Sequence, residues 1–235
     1  MDPVPFFERE DFRDVVGQTL RPGGIMLTSQ ALDHCVLPLG ALVADIGCGR
    51  GASLALLAER GFKPVGLDPS PRLLAEAREP GSGTVLIQAT SEAIPFRQGT
   101  FSAVLCECVL TITRNPRAAL TEMHRILSPG GLLVLTDLYL REPVDPLAPW
   151  DAARSSAEAS KAAGCASGAV PRTEVEQRLQ DTGFTVRVFE DHSRLLAELA
   201  GRLVFAGLDR AELGLGCSSA GRPGYYLCIA QTEAL

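Results

Sequence analysis

Short apolar runs along the chain alternate with apolar stripes at helical spacing. This pattern predicts strands and helices in turn, hence an α/β fold. Ala41 to Ile46 is the clearest run, and its lack of alternation suits a strand buried on both faces. Glycines follow at every second position (Gly47, Gly49, Gly51), and Ala52 to Arg60 then carries a helical stripe. Lys63–Leu67, Thr84–Gln88, the stretch ending at Leu110, and Leu132–Leu138 read as further strands. Helices are expected between them, at Arg72–Glu79 behind Pro69-Ser70-Pro71 and at Arg117–Leu127 behind Asn115-Pro116. Ser128-Pro129-Gly130-Gly131 reads as a stop between helix and strand.

On either side of this block the pattern is looser. Phe6-Phe7, Phe12 and Val15-Val16 suggest a short amphipathic helix, and Arg21-Pro22-Gly23-Gly24 a breaker. Thr28 is expected to cap a helix over Ser29–Val36, closed by Pro38 and Gly40. Downstream, helices are expected at Pro149–Ala163, Arg172–Thr182 and Leu195–Phe205, and strands at Thr185–Asp191 and Tyr225–Ala230. This divides the chain into a lead-in or lid, 1–40, and a main domain, 41–235, with insertions at 139–170 and 193–224. Substrate choice is expected to reside in the lead-in and these insertions.

Composition narrows the function classes. With 46% hydrophobic and 21% charged residues, the 235-residue chain can bury a full core. A net charge of −6 argues against a general nucleic-acid binder. No basic-then-apolar leader and no membrane-length apolar run is present, and seven cysteines without a Cys-x-x-Cys pair fit a reducing, cytoplasmic setting.

The candidate chemistry gathers at the first strand. A glycine turn between strand and helix lets backbone approach a ligand and offers unpaired N–H groups. Gly47-x-Gly49-x-x-Ala52 also satisfies a dinucleotide fingerprint. Asp45, two residues before the first glycine, distinguishes the two cases: its carboxylate would repel a pyrophosphate and favour a cationic amino acid. Adenosine joined to a cation, as in S-adenosylmethionine (AdoMet), fits. Asp68, at the end of the second strand, can accept from both ribose hydroxyls.

Four segments in this order resemble class I AdoMet-dependent methyltransferases, the broad group that includes quinone-biosynthesis and arsenite enzymes. They are Asp45-x-Gly-x-Gly-x-Gly51, Gly66-Leu67-Asp68, Glu92-x-Ile94-Pro95-Phe96 and Arg125-Ile126-Leu127-Ser128-Pro129-Gly130-Gly131. The resemblance implies a Rossmann-like, doubly wound sheet of seven strands, mostly parallel with an antiparallel last strand. It implies that Asp45, Gly47, Cys48, Gly49 and Gly51 hold the methionine end, Asp68 the ribose, and Pro69 lies beside the adenine. The family's aspartate in the next loop is replaced by Thr90, so the adenine contact falls to Thr90 and Ser91 without a charge. Glu107, ending the fourth strand, is expected beside the methyl donor, as ammonium ligand or general base. Asp137 and Tyr139 are weaker candidates, and His124 reads as structural. The function expected is methyl transfer to a small molecule, with S-adenosylhomocysteine as product and no metal. Three alternatives stay open: an NAD(P)-binding Rossmann protein, a non-catalytic cofactor-binding module, and a metalloid methyltransferase using Cys106, Cys108, Cys165 and Cys217. Strand alternation would place Cys106 and Cys108 on one face.

Overall fold

The computed structural model describes residues 8–19, 21–78, 83–141, 168–208 and 222–234. Seven strands form one sheet in the order β3-β2-β1-β4-β5-β7-β6. They are β1 (Leu42–Ile46), β2 (Lys63–Asp68), β3 (Val85–Gln88), β4 (Phe101–Glu107), β5 (Leu127–Leu140), β6 (Phe184–Asp191) and β7 (Pro223–Thr232). Strands β1 to β5 pair in parallel, and β7 runs antiparallel to both β5 and β6. The expected sheet is thus present, with its last strand inserted between two others.

Strand alternation divides the core into two layers. Ala103 and Leu105 of β4, with Tyr225, Leu227 and Ile229 of β7, face one side. There they meet α1 (Glu10–Val16), α2 (Gly24–Asp33) and α7 (Ser193–Phe205), with Leu57 of α3 (Ala52–Glu59). Val104 and Cys106, with Tyr226, Cys228 and Ala230, face α5 (Pro116–Ile126) and α6 (Arg172–Asp181). A shorter helix, α4 (Pro71–Ala77), places Leu74 with Cys48 and Leu54 in a small third cluster. Helices on both faces bury the parallel strands, which explains their nearly continuous apolar sequence.

Gly66 of β2 marks a point of close packing. A Cβ there would lie 2.7 Å from Leu54 Cδ1, 2.8 Å from Cys48 Sγ and 2.9 Å from Leu86 Cδ2. Three neighbours would have to move together, so Gly66→Ala should cost roughly 1–3 kcal/mol of stability, the usual scale of overpacking. Urea denaturation measures it, and an unchanged midpoint would contradict the packing argument.

Several boundaries differ from expectation. The second helix begins at Gly24 rather than at Ser29, because Gly23 (φ 74°) and Gly24 (φ 52°) turn the chain directly into it. Thr28 is therefore inside α2, where its side chain cannot cap the start. The helix before Ser128-Pro129-Gly130-Gly131 does end, at Ile126, but the motif does not separate it from the strand: β5 runs through it, and the ladder with β4 jumps from Phe101↔Leu127 to Ala103↔Leu132 to absorb the extra residues. Cys106 and Cys108 do not share a face. Cys106 lies in the α5/α6 layer, whereas Cys108 has left the strand with φ 57° and packs on the opposite layer. The expected helix at 149–163, Phe6-Phe7, Cys165, Cys217 and much of the insertions 139–170 and 193–224 lie outside the described residues.

Candidate functional site

The sheet order reverses between β1 and β4, and the glycine turn lies at their carboxyl ends. Its shape is held by the neighbouring strand. Gly47 and Cys48 both donate their N–H groups to the Leu67 carbonyl, at 2.7 and 3.0 Å, and Gly51 donates to the Cys48 carbonyl at 2.9 Å. Gly47, Gly49 and Gly51 all have positive φ. A Cβ on Gly47 would come within 2.3 Å of Val109 Cγ2. The Cys48 thiol points into the small cluster with Leu54 and Leu74, so only its backbone belongs to the turn.

Asp68 fastens the turn to β2. Its Oδ2 accepts the Gly49 N–H at 2.9 Å and its Oδ1 accepts the Ser70 N–H at 2.8 Å. Burial nevertheless raises its pKa, the two N–H groups opposing that rise. Over this corner α1 is tied down by ion pairs: Arg13 and Arg50 both reach Glu76, Arg50 Nε at 3.0 Å, and Arg50 Nη1 donates to the Gly17 carbonyl at 3.3 Å.

Asp45 and Glu107 come together as expected, but with a partner that the sequence did not suggest. Asp45 is 3% exposed, and its pKa is pushed up to about 8 by burial and then by the Glu107 carboxylate; Arg21 opposes the rise and Asp68 adds to it. Glu107 is paired with Arg21, Nη2 to Oε2 at 2.9 Å, their side chains 3% and 10% exposed respectively. The other bonds to Glu107 come from hydroxyls: Thr28 Oγ1 donates to Oε1 and Ser53 Oγ to Oε2, each at 2.9 Å. Thr136 Oγ1 lies 3.5 Å from Oε1 and accepts the Tyr225 hydroxyl at 3.0 Å; that hydroxyl also lies 3.3 Å from Cys108 Sγ. Arg21, Thr28, Ser53, Thr136 and Tyr225 are thus site residues missed by sequence reasoning. One signal was available: Thr28 and Ser53 are polar positions on otherwise core-facing stripes, beside Leu27 and Leu54.

The remaining candidates scatter. Pro69 and Thr90 are exposed, while Ser91 is buried and hydrogen-bonds Glu92 at 3.2 Å and Thr113 at 3.3 Å. Asp137 is buried as an anchor for the loop after β4. It accepts from Thr111 Oγ1 at 2.7 Å, Thr111 N at 3.2 Å and Leu138 N at 2.7 Å, and burial raises its pKa to about 6 against those bonds. Tyr139 stands edge-on to Phe189 and Tyr226, and His124 edge-on to Phe184, both as packing groups. Among the described residues no three His, Cys, Asp or Glu side chains converge as a metal site. No helix among them is long and apolar enough to cross a membrane.

Comparison with known proteins agrees with this geometry. A family described as a methyltransferase domain matches residues 44–135. An uncharacterized methyltransferase of Synechocystis is 32% identical over 124 residues, covering 52% of this chain and 58% of that protein. The chain therefore spans little more than half the length of that relative. Among solved structures, phosphoethanolamine N-methyltransferase 2 of Haemonchus contortus, in complex with AdoMet, superposes with a TM-score of 0.74 at 15% identity. That match covers 95% of this chain and 56% of the other. The [4+2]-cyclase SpnF superposes with a TM-score of 0.69 at 20% identity, over 89% of this chain and 82% of that one. At such identities the structural matches speak for the fold, while the sequence matches speak for the domain. Residues 44–135, from β1 into β5 around the turn and its acidic strand ends, thus match a methyltransferase domain, on a sheet that superposes with solved methyltransferases.

Proposed function

We propose that the protein transfers a methyl group from AdoMet to a small-molecule acceptor and releases S-adenosylhomocysteine. The observation that carries this reading is the buried carboxylate pair, Asp45 and Glu107, beside a glycine turn at the topological switch. Such a pair repels a pyrophosphate and favours the ammonium of an amino acid, which separates this site from a nicotinamide site. Two features support AdoMet: Gly47, Gly49 and Gly51 keep positive φ, so the turn presents backbone rather than side chains, and Asp68 stands at the end of β2, where this fold meets ribose hydroxyls.

AdoMet, when bound, supplies an electrophilic methyl on sulfur. What the protein must do is hold an acceptor in line with that bond, exclude water and keep charge where it is needed. In this proposal Asp45 receives the ammonium, Asp68 the ribose hydroxyls, and the backbone at Gly47, Cys48, Gly49 and Gly51 lies along the methionine end. Pro69, Thr90 and Ser91 border the adenine. Glu107 already accepts from Thr28 and Ser53, which favours holding charge over abstracting a proton. In this proposal substrate choice stays with the segments 1–40, 139–170 and 193–224, as expected from the sequence, and a small-molecule acceptor calls for an enclosed pocket.

Calorimetry with AdoMet, S-adenosylhomocysteine, NAD and NADP tests the reading. Heat is expected from the two adenosyl ligands, and binding of NAD instead would overturn it. Asp68→Ala should weaken AdoMet by roughly 1–3 kcal/mol, the scale of a lost hydrogen bond to a charged group. Release of S-adenosylhomocysteine in a metabolite screen then separates an enzyme from an idle binding module. Arsenite methylation that depends on Cys106 and Cys108 would replace the small-molecule reading by the metalloid one.

A further inference from the structure

Arg21 lies in a place where a cation needs explaining. The site as proposed takes a ligand with a net positive charge, yet a guanidinium is buried in it, within the Coulomb field of Asp45 as well as Glu107. Its contacts with Thr28, Ser53 and Glu107 all go through one nitrogen, Nη2. Nε is buried too and finds no hydrogen-bond partner among the described residues. A buried donor left over in this way costs stability unless something fills it. Bidentate pairing with a carboxylate can use Nε together with a terminal nitrogen.

The charges around Arg21 match an amino-acid zwitterion. One cation, two carboxylates and two hydroxyls surround the carboxyl ends of β1 and β4 and the first turn of α3. An ammonium suits the Asp45 and Glu107 side, whereas an α-carboxylate suits the guanidinium. Within the structure the two halves are joined by the Arg21–Glu107 pair. We propose that Arg21 is the receptor for the α-carboxylate of the cofactor, meeting it through the Nε side of the guanidinium that Glu107 leaves unpartnered. This rests on the AdoMet reading and deepens it: Arg21 supplies the cation for the carboxylate, while Asp45 and Glu107 supply the negative charge for the ammonium. Arg21 comes from the segment leading into α2, so cofactor binding also fixes that segment over the site. It is a positioning residue for the sulfonium, holding the far end of the methionine chain.

The test uses ligands that differ only at this end. Wild-type protein is titrated with AdoMet, with decarboxylated AdoMet, which keeps sulfonium and amine, and with 5′-methylthioadenosine, which has no amino-acid end. AdoMet is expected to bind roughly 10- to 100-fold tighter than its decarboxylated form, the scale of a charge-assisted pair. In Arg21→Gln that preference should shrink to about threefold or less, with decarboxylated AdoMet bound no more weakly than by wild type. Arg21→Lys should recover part of the preference, since it keeps the charge and loses the fork. If Arg21→Gln does not fold because Glu107 is stranded, Arg21→Gln with Glu107→Gln removes both charges and is expected to show the same loss of preference. A preference that survives in these variants, or none in wild type, overturns the assignment. In either case binding of methylthioadenosine shows that the pocket reading stands. If no adenosyl ligand binds wild type, both fall.

Discussion

Glu107→Leu, with Arg21 left in place, should lower the folding free energy by roughly 3–5 kcal/mol, the cost of stranding one member of a buried ion pair. The Arg21 side chain is only 10% exposed, so water cannot replace the lost carboxylate. Three residues lose their acceptor as well, since Thr28, Ser53 and Arg21 all donate to Glu107. The pair itself is a different matter. Two ions taken from water gain little net stability over apolar residues of similar size, so Arg21→Met combined with Glu107→Leu should recover most of the loss. Urea midpoints of the two variants and wild type at neutral pH decide this. Equal midpoints for Glu107→Leu and wild type would mean that the pair is open in solution. Recovery in the double variant, alongside lost cofactor binding, would show that the pair is kept for ligand binding and not for the fold.

Asp45 should make the empty protein's stability depend on pH in an unusual direction. Its carboxyl stands at an ordinary 3.8 in the unfolded chain and at about 8 when folded. A group raised on folding gives its full contribution below the lower value and loses it as pH rises through the higher one. Wild type should therefore fall in stability relative to Asp45→Asn between about pH 4 and pH 8, each unit of the interval contributing up to about 1.4 kcal/mol. Denaturation of both proteins at several pH values checks it, and a constant difference would refute it. Cofactor binding should run the other way. An ammonium beside Asp45 favours the carboxylate, so binding at neutral pH should release a proton and AdoMet affinity should rise with pH, up to about tenfold per unit between pH 5.5 and 7. Calorimetry in buffers of different ionisation enthalpy counts that proton directly.

What could be read in advance follows from how local each signal is. Asp45, the glycines and Asp68 lie within one strand-turn-helix-strand unit, so their spacing in sequence nearly fixes their spacing in space. The parallel strands were legible for the same reason, since each is a short apolar run bounded by turn residues. Arg21 was not legible. It approaches Glu107 only after α2 folds across α3, and two positive-φ glycines beside it look like a loop while in fact starting a helix. Cys108 misled for a related reason: alternation holds only while the backbone stays extended, and at φ 57° it does not. Tyr225 and Thr136 stand opposite Leu138 and Leu227 and meet only diagonally across β5 and β7, through a side-chain hydrogen bond made once the whole sheet forms, so they gave no local sign of belonging to the site.

The position of β7 also bears on how the protein can be made. On a ribosome, β5 and β6 emerge before it, yet neither touches the other in the finished sheet; β7 lies between them. Until residues 223–232 have left the exit tunnel, β5 presents an open edge bearing Leu133, Val134 and Leu135, all fully buried in the native protein. That edge is a template for pairing with a neighbouring nascent chain. A premature stop before Pro223 would thus remove two strands from the sheet rather than one, because β6 would have nothing to dock on.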